Sequence, residues 1–333
     1  MRKIVIGAGG ISGLKQVDAA DPEPGPGEVL VLMHASSLNY RDLVTVRQAG
    51  ATTPGLVPNS CGAGEVVAVG DGVRRIAVGD RVAPMFFQKW VDGRITPEAR
   101  GSTLGGPIDG CLRDLMVLNE EGVTRLPDDM TFEEAATLPC AGLTAWRALV
   151  EEGNLKAGET VLVQGTGGVS IFALQFARLF GAEVIVTSSS DAKLERARAL
   201  GATHVINYRQ MPDWASAVRQ LTGGRGVDHV VEVGGADTLQ QSIASIALGG
   251  NIHVIGVLGG YVKDVDITQI FRSNGRIQGV TVGSRAMFER MLRAMHFNGI
   301  HPVIDARFPL ENTADAFELM ARGGHFGKIV IEH

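Results

Sequence analysis

The segment Val161-Leu162-Val163-Gln164-Gly165-Thr166-Gly167-Gly168-Val169-Ser170 constrains this chain more than any other. A short β-branched run leads into a glycine-rich turn. An apolar stretch with helical spacing follows (Ile171, Leu174, Arg178), Gly181 stops it, and Val184-Ile185-Val186 forms a second apolar run. That is a complete strand, helix, strand unit. In this setting Gly165 permits the tight turn and Gly167 lets the backbone approach a pyrophosphate, while the helix N-terminus offers free N–H groups and a partial positive charge. Ser170 takes the third glycine position and is small enough for close packing. The alternation continues with a helix over 191–200, a strand at 205–206, a helix over 212–221 and a strand over 229–233. Further strands fall near 252–257 and 277–282, and a helix runs over 285–297. Such alternation predicts an α/β fold with a doubly wound parallel sheet covered on both faces.

The first 125 residues read differently. Short runs such as Val29-Leu30-Val31-Leu32, 64–69 and 80–83 lie between glycine and proline turns, which predicts a mostly β domain. The chain's last stretch returns to strand, helix, strand, ending on Gly327-Lys328-Ile329-Val330-Ile331, and is expected to rejoin that domain. The division is therefore 1–125 with 300–333, and 126–299. A second glycine cluster, Gly7-Ala8-Gly9-Gly10-Ile11-Ser12-Gly13, follows a strand but runs into the proline-rich 21–28 segment instead of a helix. It reads as a hairpin turn.

Composition narrows the partners. At 333 residues the chain is long enough for about two domains. No apolar run approaches the roughly 18 residues of a membrane span. The net charge is −5 and the 31 Lys and Arg are scattered, so neither nucleic acid nor an anionic membrane is expected, and a small molecule is. Three cysteines, Cys61, Cys111 and Cys140, cannot form a disulfide framework. Met1 to Ile6 is too short for a secretory signal, and a reducing cytoplasm is the expected location. His296 and His301 show no metal-ligand spacing and are expected to be solvated.

At the end of the second strand of such a unit, a carboxylate on the ribose 2′-hydroxyl marks NAD. Here the strand ends Thr187-Ser188-Ser189-Ser190, with Lys193 one turn along the next helix, which favours NADP over NAD. The serines can equally cap that helix, with Asp191 opening its first turn.

Four ordered motifs carry a resemblance: Ser37-Leu38-Asn39-Tyr40-Arg41-Asp42, the 62–70 segment leading to Val78-Gly79-Asp80-Arg81-Val82, the 138–146 segment Leu-Pro-Cys-Ala-Gly-Leu-Thr-Ala-Trp, and the glycine fingerprint. Together, over nearly the whole chain, they resemble the zinc-independent branch of the medium-chain dehydrogenase/reductase superfamily, with its quinone-oxidoreductase-like and zinc-free alcohol-dehydrogenase-like proteins. The resemblance implies a GroES-like β domain, a Rossmann domain for a nicotinamide cofactor, an active-site cleft between them, and a homodimer.

Zinc-dependent relatives take ligands from places that look like Asn39, Ser60 and Cys140 here. Only one ligand type survives, and catalytic zinc needs about three protein ligands, so no metal is expected. The resemblance implies Asn39 as polariser of the substrate oxygen, Tyr40 as proton donor and Asp42 as orienting group, the last with an equally good structural reading. Thr144 matches a nicotinamide contact, or caps a helix turn. Tyr208 resembles a tyrosine flanking the adenosine 2′-phosphate. Gly234, Ile255, Gly256, Val257, Val280 and Val282 match positions lining the ribose and carboxamide, and Gly327 and Lys328 match a terminal Gly-Lys near the cofactor. Each could equally serve sheet packing. The cluster Phe86-Phe87-Gln88-Lys89-Trp90 either lines a substrate pocket or forms a satellite core.

The implied activity is hydride transfer between a nicotinamide and a small alcohol or carbonyl compound. Quinone or enoyl reduction by the same superfamily is the alternative, and a non-catalytic cofactor-binding protein the alternative of another class.

Overall fold

The computed structural model describes residues 1–49 and 53–333. In chain order the elements are β1 (Arg2–Ile6), β2 (Leu14–Asp18), β3 (Glu28–Ser37), α1 (Tyr40–Ala49), β4 (Gly62–Val69), β5 (Arg81–Pro84), α2 (Pro97–Arg100), β6 (Leu115–Asn119), β7 (Val123–Arg125) and α3 (Phe132–Ala136). Then come α4 (Leu143–Trp146), β8 (Thr160–Gln164), α5 (Gly168–Leu179), β9 (Glu183–Ser188), α6 (Asp191–Ala199), β10 (His204–Asn207), α7 (Trp214–Leu221) and β11 (Val227–Glu232). The chain closes with α8 (Ala236–Ser245), β12 (Ile246–Val254), α9 (Ile267–Ser273), β13 (Arg276–Gly279), α10 (Arg285–Asn298), β14 (Ile304–Pro309), α11 (Thr313–Ala321) and β15 (Lys328–Glu332).

Two compact units result, 1–143 with 282–333, and 144–281. Residues 126–143 and 282–299 thus go with the first unit, not with a 126–299 domain. The reason is local bonding. α3 packs on β3 and β4. At the start of α10, Arg285 N–H donates to the Trp90 carbonyl at 2.9 Å and Ala286 N–H to Val91 at 3.0 Å, while the Arg285 guanidinium meets Glu121 at 2.5 Å.

In the first unit a seven-stranded sheet runs β14-β15-β3-β4-β5-β7, with β6 also pairing β3. β3 is its spine, because Val29, Val31, Met33 and Ala35 alternate into the core while Leu32 faces out. The chain's end does return to this unit: β15 pairs antiparallel with β3, Val330 opposite Ser37. The first glycine cluster is a hairpin turn between β1 and β2, paired antiparallel from Arg2↔Asp18 to Ile6↔Leu14. A Cβ on Gly13 would stand 2.2 Å from the Ala8 carbonyl oxygen, so only glycine fits this close approach. Phe86, Phe87 and Trp90 are all buried and pack edge to face at 4.7 and 5.7 Å. They form a satellite core.

In the second unit six parallel strands run β10-β9-β8-β11-β12-β13. Counted within the unit this is the order third, second, first, fourth, fifth, sixth, that of a dinucleotide-binding sheet with its crevice at the switch between the first and fourth strands. β8 is buried throughout, as a strand covered by helices on both faces must be. The sequence reading has no counterpart for α1, α8 or α9. Among the described residues no helix is long and apolar enough to cross a membrane.

Candidate active site

The cradle in the second unit begins where β8 ends. Gly165 adopts φ +69°, a conformation L side chains rarely take, and its N–H donates to the Thr187 carbonyl on β9 at 2.8 Å. Gly167 is the cap of α5 and no side chain caps that helix. The first N–H groups of α5, on Gly168, Val169 and Ser170, are those a helix leaves without intrahelical partners. A Cβ added at Gly167 would meet nothing within 4 Å. An uncapped helix start beside open space fits a pyrophosphate, which would satisfy the donors and fill the space. Ser170 sends its buried hydroxyl to the Gln164 carbonyl at 2.7 Å, tying α5 to β8. Thr166, also buried, lies in the same turn.

Ser188, Ser189 and Lys193 lie at the end of β9 and the start of α6. Ser190 caps α6 by accepting the Lys193 N–H at 3.4 Å, so a serine does cap this helix. Tyr208 follows β10 with an exposed ring, and its N–H donates to the Ser188 carbonyl at 3.1 Å, which sets it beside the serines.

On the far side of the switch point a residue that sequence reasoning missed organises the turn. Glu232, fully buried at the end of β11, accepts from Gly234 N–H at 2.8 Å, Gly235 N–H at 2.9 Å, the Thr238 hydroxyl at 2.6 Å and Gln164 Nε2 at 2.8 Å. Ser242 donates to it as well. The available signal was a carboxylate inside the apolar run His229-Val230-Val231-Glu232-Val233. Ile255 and Gly256 N–H donate to the Glu232 carbonyl at 2.8 and 3.2 Å, which draws 255–257, with Val257, up to Gly234. A Cβ on Gly256 would meet the Val233 carbonyl at 2.5 Å. Val280 is buried and bonded to Val254 at 2.9 Å. Thr144 is buried on α4.

The first unit gathers a different set. Asn39, Asp42, Ser60, Cys61 and Lys328 are all buried. Asn39 N–H donates to Asp42 Oδ2 at 2.8 Å, and Asp42 N–H returns to the Asn39 carbonyl at 2.9 Å. This reciprocal pair starts α1 and presents Tyr40, 44% exposed, at its first position. Asn59 turns the chain in the left-handed region at φ 77°, and its Oδ1 accepts the Cys61 N–H at 3.0 Å. Asn39 Nδ2 then donates to Ser60 Oγ and Cys61 Sγ, both at 3.1 Å. Asn39 Oδ1 accepts from Lys328 Nζ at 2.7 Å. Lys328 also donates to the Leu38 carbonyl. Gly327, at φ +82°, makes this possible: a Cβ there would stand 2.4 Å from the Val303 carbonyl oxygen.

Two residues singled out in the sequence meet in this cluster. Asn39 is the expected polariser of substrate, but both of its amide N–H groups are committed to Ser60 and Cys61. Lys328, expected near the cofactor, sends its ammonium into the Asn39 cluster. Val282 falls in the first unit, at φ 51°, a strained conformation for a β-branched residue.

Electrostatics follow from burial. Desolvation raises the Asp42 carboxyl above the usual range despite Arg41, the Asn39 N–H, Ser60 and Lys328, all of which favour the anion. Desolvation also lowers the Lys328 ammonium, against the pull of Cys61, Cys140 and Asp42. For Cys61 burial opposes ionisation, but the hydrogen bond from Cys140 and the Lys328 charge outweigh it and lower the thiol. Cys140, the donor, is pushed well up by that bond and by burial. Arg41 is spread between Asp42 at 3.5 Å and the carbonyls of Leu104 and Gly106 at 2.7 and 3.0 Å.

The donors do not fit zinc. At the positions the resemblance matches to zinc ligands stand an amide and a hydroxyl bonded to each other and a thiol, with an ammonium 2.7 Å from the amide oxygen. Among the described residues no group of three or more His, Cys, Asp or Glu side chains could hold a metal ion. His296 and His301 instead pair at the surface with Asp129 at 2.9 Å and Glu134 at 2.8 Å.

Residues 168–296 match the family of zinc-binding dehydrogenases, and residues 25–128 the GroES-like domain of alcohol dehydrogenases. A zinc-type alcohol dehydrogenase-like protein of Schizosaccharomyces pombe is 45% identical over 97% of this chain and 96% of its own. The chain belongs to the medium-chain dehydrogenase/reductase superfamily. A quinone oxidoreductase of Pseudomonas aeruginosa is 34% identical over 94% of both chains. Among solved structures, an NAD-dependent alcohol dehydrogenase superposes with a TM-score of 0.90 at 36% identity, covering 100% of both chains. A mycobacterial protein complexed with NADPH does so at 0.82 and 28%, again over 100% of both. This medium-chain dehydrogenase/reductase is therefore a nicotinamide-dependent oxidoreductase of the alcohol dehydrogenase and quinone oxidoreductase type, with a GroES-like domain and a Rossmann-like parallel sheet. The 168–296 match contains none of Asn39, Ser60 or Cys140, so the word zinc in that family's description does not bear on these positions.

Proposed function

We propose that this chain transfers a hydride between NADP(H) and a small carbonyl or alcohol compound without zinc. The observation that carries the metal-free part is the Lys328 ammonium, buried and bonded to Asn39 Oδ1 at 2.7 Å, where zinc relatives would bring ligands together. A fixed cation among an amide, a hydroxyl and two thiols opposes a divalent ion and supplies positive potential of its own.

When bound, the nicotinamide supplies or accepts the hydride. Residues of the second unit would hold the cofactor: Gly165 to Val169 its pyrophosphate, Ser188, Ser189, Lys193 and Tyr208 its 2′-phosphate, and Gly234, Ile255 to Val257, Val280 and Thr144 its ribose and carboxamide side. Negative charge that develops on a substrate oxygen needs preorganised donors. Tyr40 is assigned that task and the proton transfer, because it is a hydroxyl-bearing side chain half-exposed at the first turn of α1. Asn39, Asp42 and Lys328 hold the turn that carries it. Reading Asn39 as a positioning group follows from its committed amide.

NADP over NAD rests on the uncharged Ser188 to Ser190 run, and the chain's three free thiols suit a reducing cytoplasm. A homodimer is part of the same reading. Quinone or enoyl reduction is the second reading, favoured by the Pseudomonas aeruginosa relative. The test is oxidation of NADPH and NADH over a panel of aldehydes, ketones, quinones and enones, with and without chelator. Turnover of carbonyl compounds with NADPH, unchanged by chelator, is expected. Stoichiometric zinc in the purified protein or loss of activity on chelation overturns the metal-free assignment. A preference for NADH overturns the cofactor assignment, and turnover of enones or quinones alone overturns the substrate class.

A further inference from the structure

Gln164 stands at the seam of the second sheet. It is the last residue of β8 and is buried. It lies one step beyond the parallel pair Val163↔Val231, which sets it across from Glu232 at the end of β11. These are the two strands between which the strand order reverses. An amide that closes an apolar buried strand must find partners for all its polar atoms, since a bond left unmade there costs the full desolvation of the group.

Gln164 finds them in two directions. Its main-chain carbonyl accepts the Ser170 hydroxyl at 2.7 Å, which fixes the first turn of α5 behind the glycine turn. Its side chain reaches across the seam. Nε2 donates to Glu232 Oε2 at 2.8 Å and to Ser242 Oγ at 2.7 Å, while Oε1 accepts the Val233 and Gly234 N–H groups, both at 3.3 Å. Nε2 carries two protons and Oε1 two lone pairs, so the amide has no capacity left. Its orientation is fixed as well, because the reversed amide would set its oxygen against the Glu232 carboxylate. The turn held in this way carries the next segment. Besides the bonds of Ile255 and Gly256 to the Glu232 carbonyl, Leu258 N–H donates to Val233 at 3.3 Å and Gly259 N–H to Gly234 at 2.5 Å. A Cβ on Gly235 would stand 2.7 Å from the Gly260 carbonyl oxygen and from Val257 Cα, so the two segments close on each other with no room to slide.

We propose that Gln164 is a positioning residue for the cofactor: its carbonyl holds the start of α5 and its amide holds Glu232 and the 233–234 turn, which keeps the two sides of the crevice in fixed register. The proposal rests on the reading above, in which Gly165 to Val169 take the pyrophosphate and Gly234 with 255–257 the ribose and carboxamide. A substitution of the side chain leaves the carbonyl, and with it the phosphate side, in place and releases the other side. Affinity for the whole cofactor then falls while affinity for its adenosine end does not.

The test is titration calorimetry with NADPH and with 2′-phosphoadenosine 5′-diphosphate, the part of NADPH that ends at the pyrophosphate. For a chain that prefers the unphosphorylated cofactor, NADH and ADP are the matched pair. Gln164→Leu, similar in size, should raise Kd for the whole cofactor about tenfold or more, in line with the loss of bonds to a carboxylate. It should change Kd for the fragment by less than about twofold. Thr238→Val removes another donor from Glu232 at a partly exposed position near the start of α8. It should give the same split at about threefold, and it decides the matter if Gln164→Leu does not fold. Damage to the fold at large would raise both constants together. An equal change in both, or a change in neither, overturns the proposal. A wild type that binds neither NADPH nor NADH overturns the cofactor reading instead.

Discussion

Asn39 shows how far a residue's role depends on partners remote in sequence. The motif Asn39-Tyr40-Arg41-Asp42 was marked by family resemblance and not by a helix signal, and in the fold Asp42 accepts the Asn39 N–H while its own N–H bonds the Asn39 carbonyl at the start of α1. What the spacing could not carry is Lys328, which reaches Asn39 from 289 positions away. Its bond, with those to Ser60 and Cys61, turns a candidate donor into a support. Two substitutions separate the roles. Tyr40→Phe should lower kcat by about 10²-fold, the lower end of what a positioned proton donor contributes, with KM little changed. A fall of less than a few fold in steady-state assays removes Tyr40 from the chemistry. Lys328→Met leaves the Leu38 carbonyl and Asn39 Oδ1 without their donor and should lower kcat about tenfold or more, in line with the loss of charge-assisted bonds. Full activity in that variant would show that the cluster is packing alone.

Elements were legible where one period dominates. β8, α5 and β9 could be placed to within a residue or two because a buried run, a glycine turn and an amphipathic stretch follow in order. α8 was not, since its buried stripe is thin: Ile243 is its one large buried side chain, among polar neighbours. β12 is interrupted by Leu248-Gly249-Gly250, with Gly249 at φ +77°, so only its second half reads as a strand. The glycine turn offers a test at this scale. Gly165→Ala would meet strain at φ +69°. Gly167 sits at φ −78° with open space around its missing Cβ. Gly167→Ala should therefore fold without strain and change thermal stability by less than about 1 kcal/mol, because the entropy gained from a stiffer unfolded chain is offset by the poorer N-cap. The same methyl would occupy the room left for a pyrophosphate, so NADPH affinity should fall about tenfold or more. Unchanged affinity by calorimetry would place the phosphates elsewhere.

For the whole molecule, the two-part division and the return of the last strand to the first unit were readable from composition shifts, whereas the exact seams depended on bonds such as Arg285 to Glu121. Buried histidines that take no assigned part in either candidate site set how the whole molecule responds to pH. In the second unit burial lowers His253 to about 3, helped by His229 and Arg276. In the first unit burial lowers His333 to about 4. Its ring meets Ser36 Oγ at 2.7 Å and the Arg113 carbonyl at 3.1 Å. An unfolded chain protonates both near 6.5. Above that pH neither state carries the proton and neither histidine affects stability. As pH falls from about 6.5 toward 4 and then 3, the unfolded chain binds protons that the folded one refuses, so stability falls, by up to about 3–5 kcal/mol per histidine. His253→Asn should flatten the decline of Tm between pH 6.5 and 4 relative to wild type, by calorimetric scanning. An equal slope in the two proteins would mean that His253 is charged when folded.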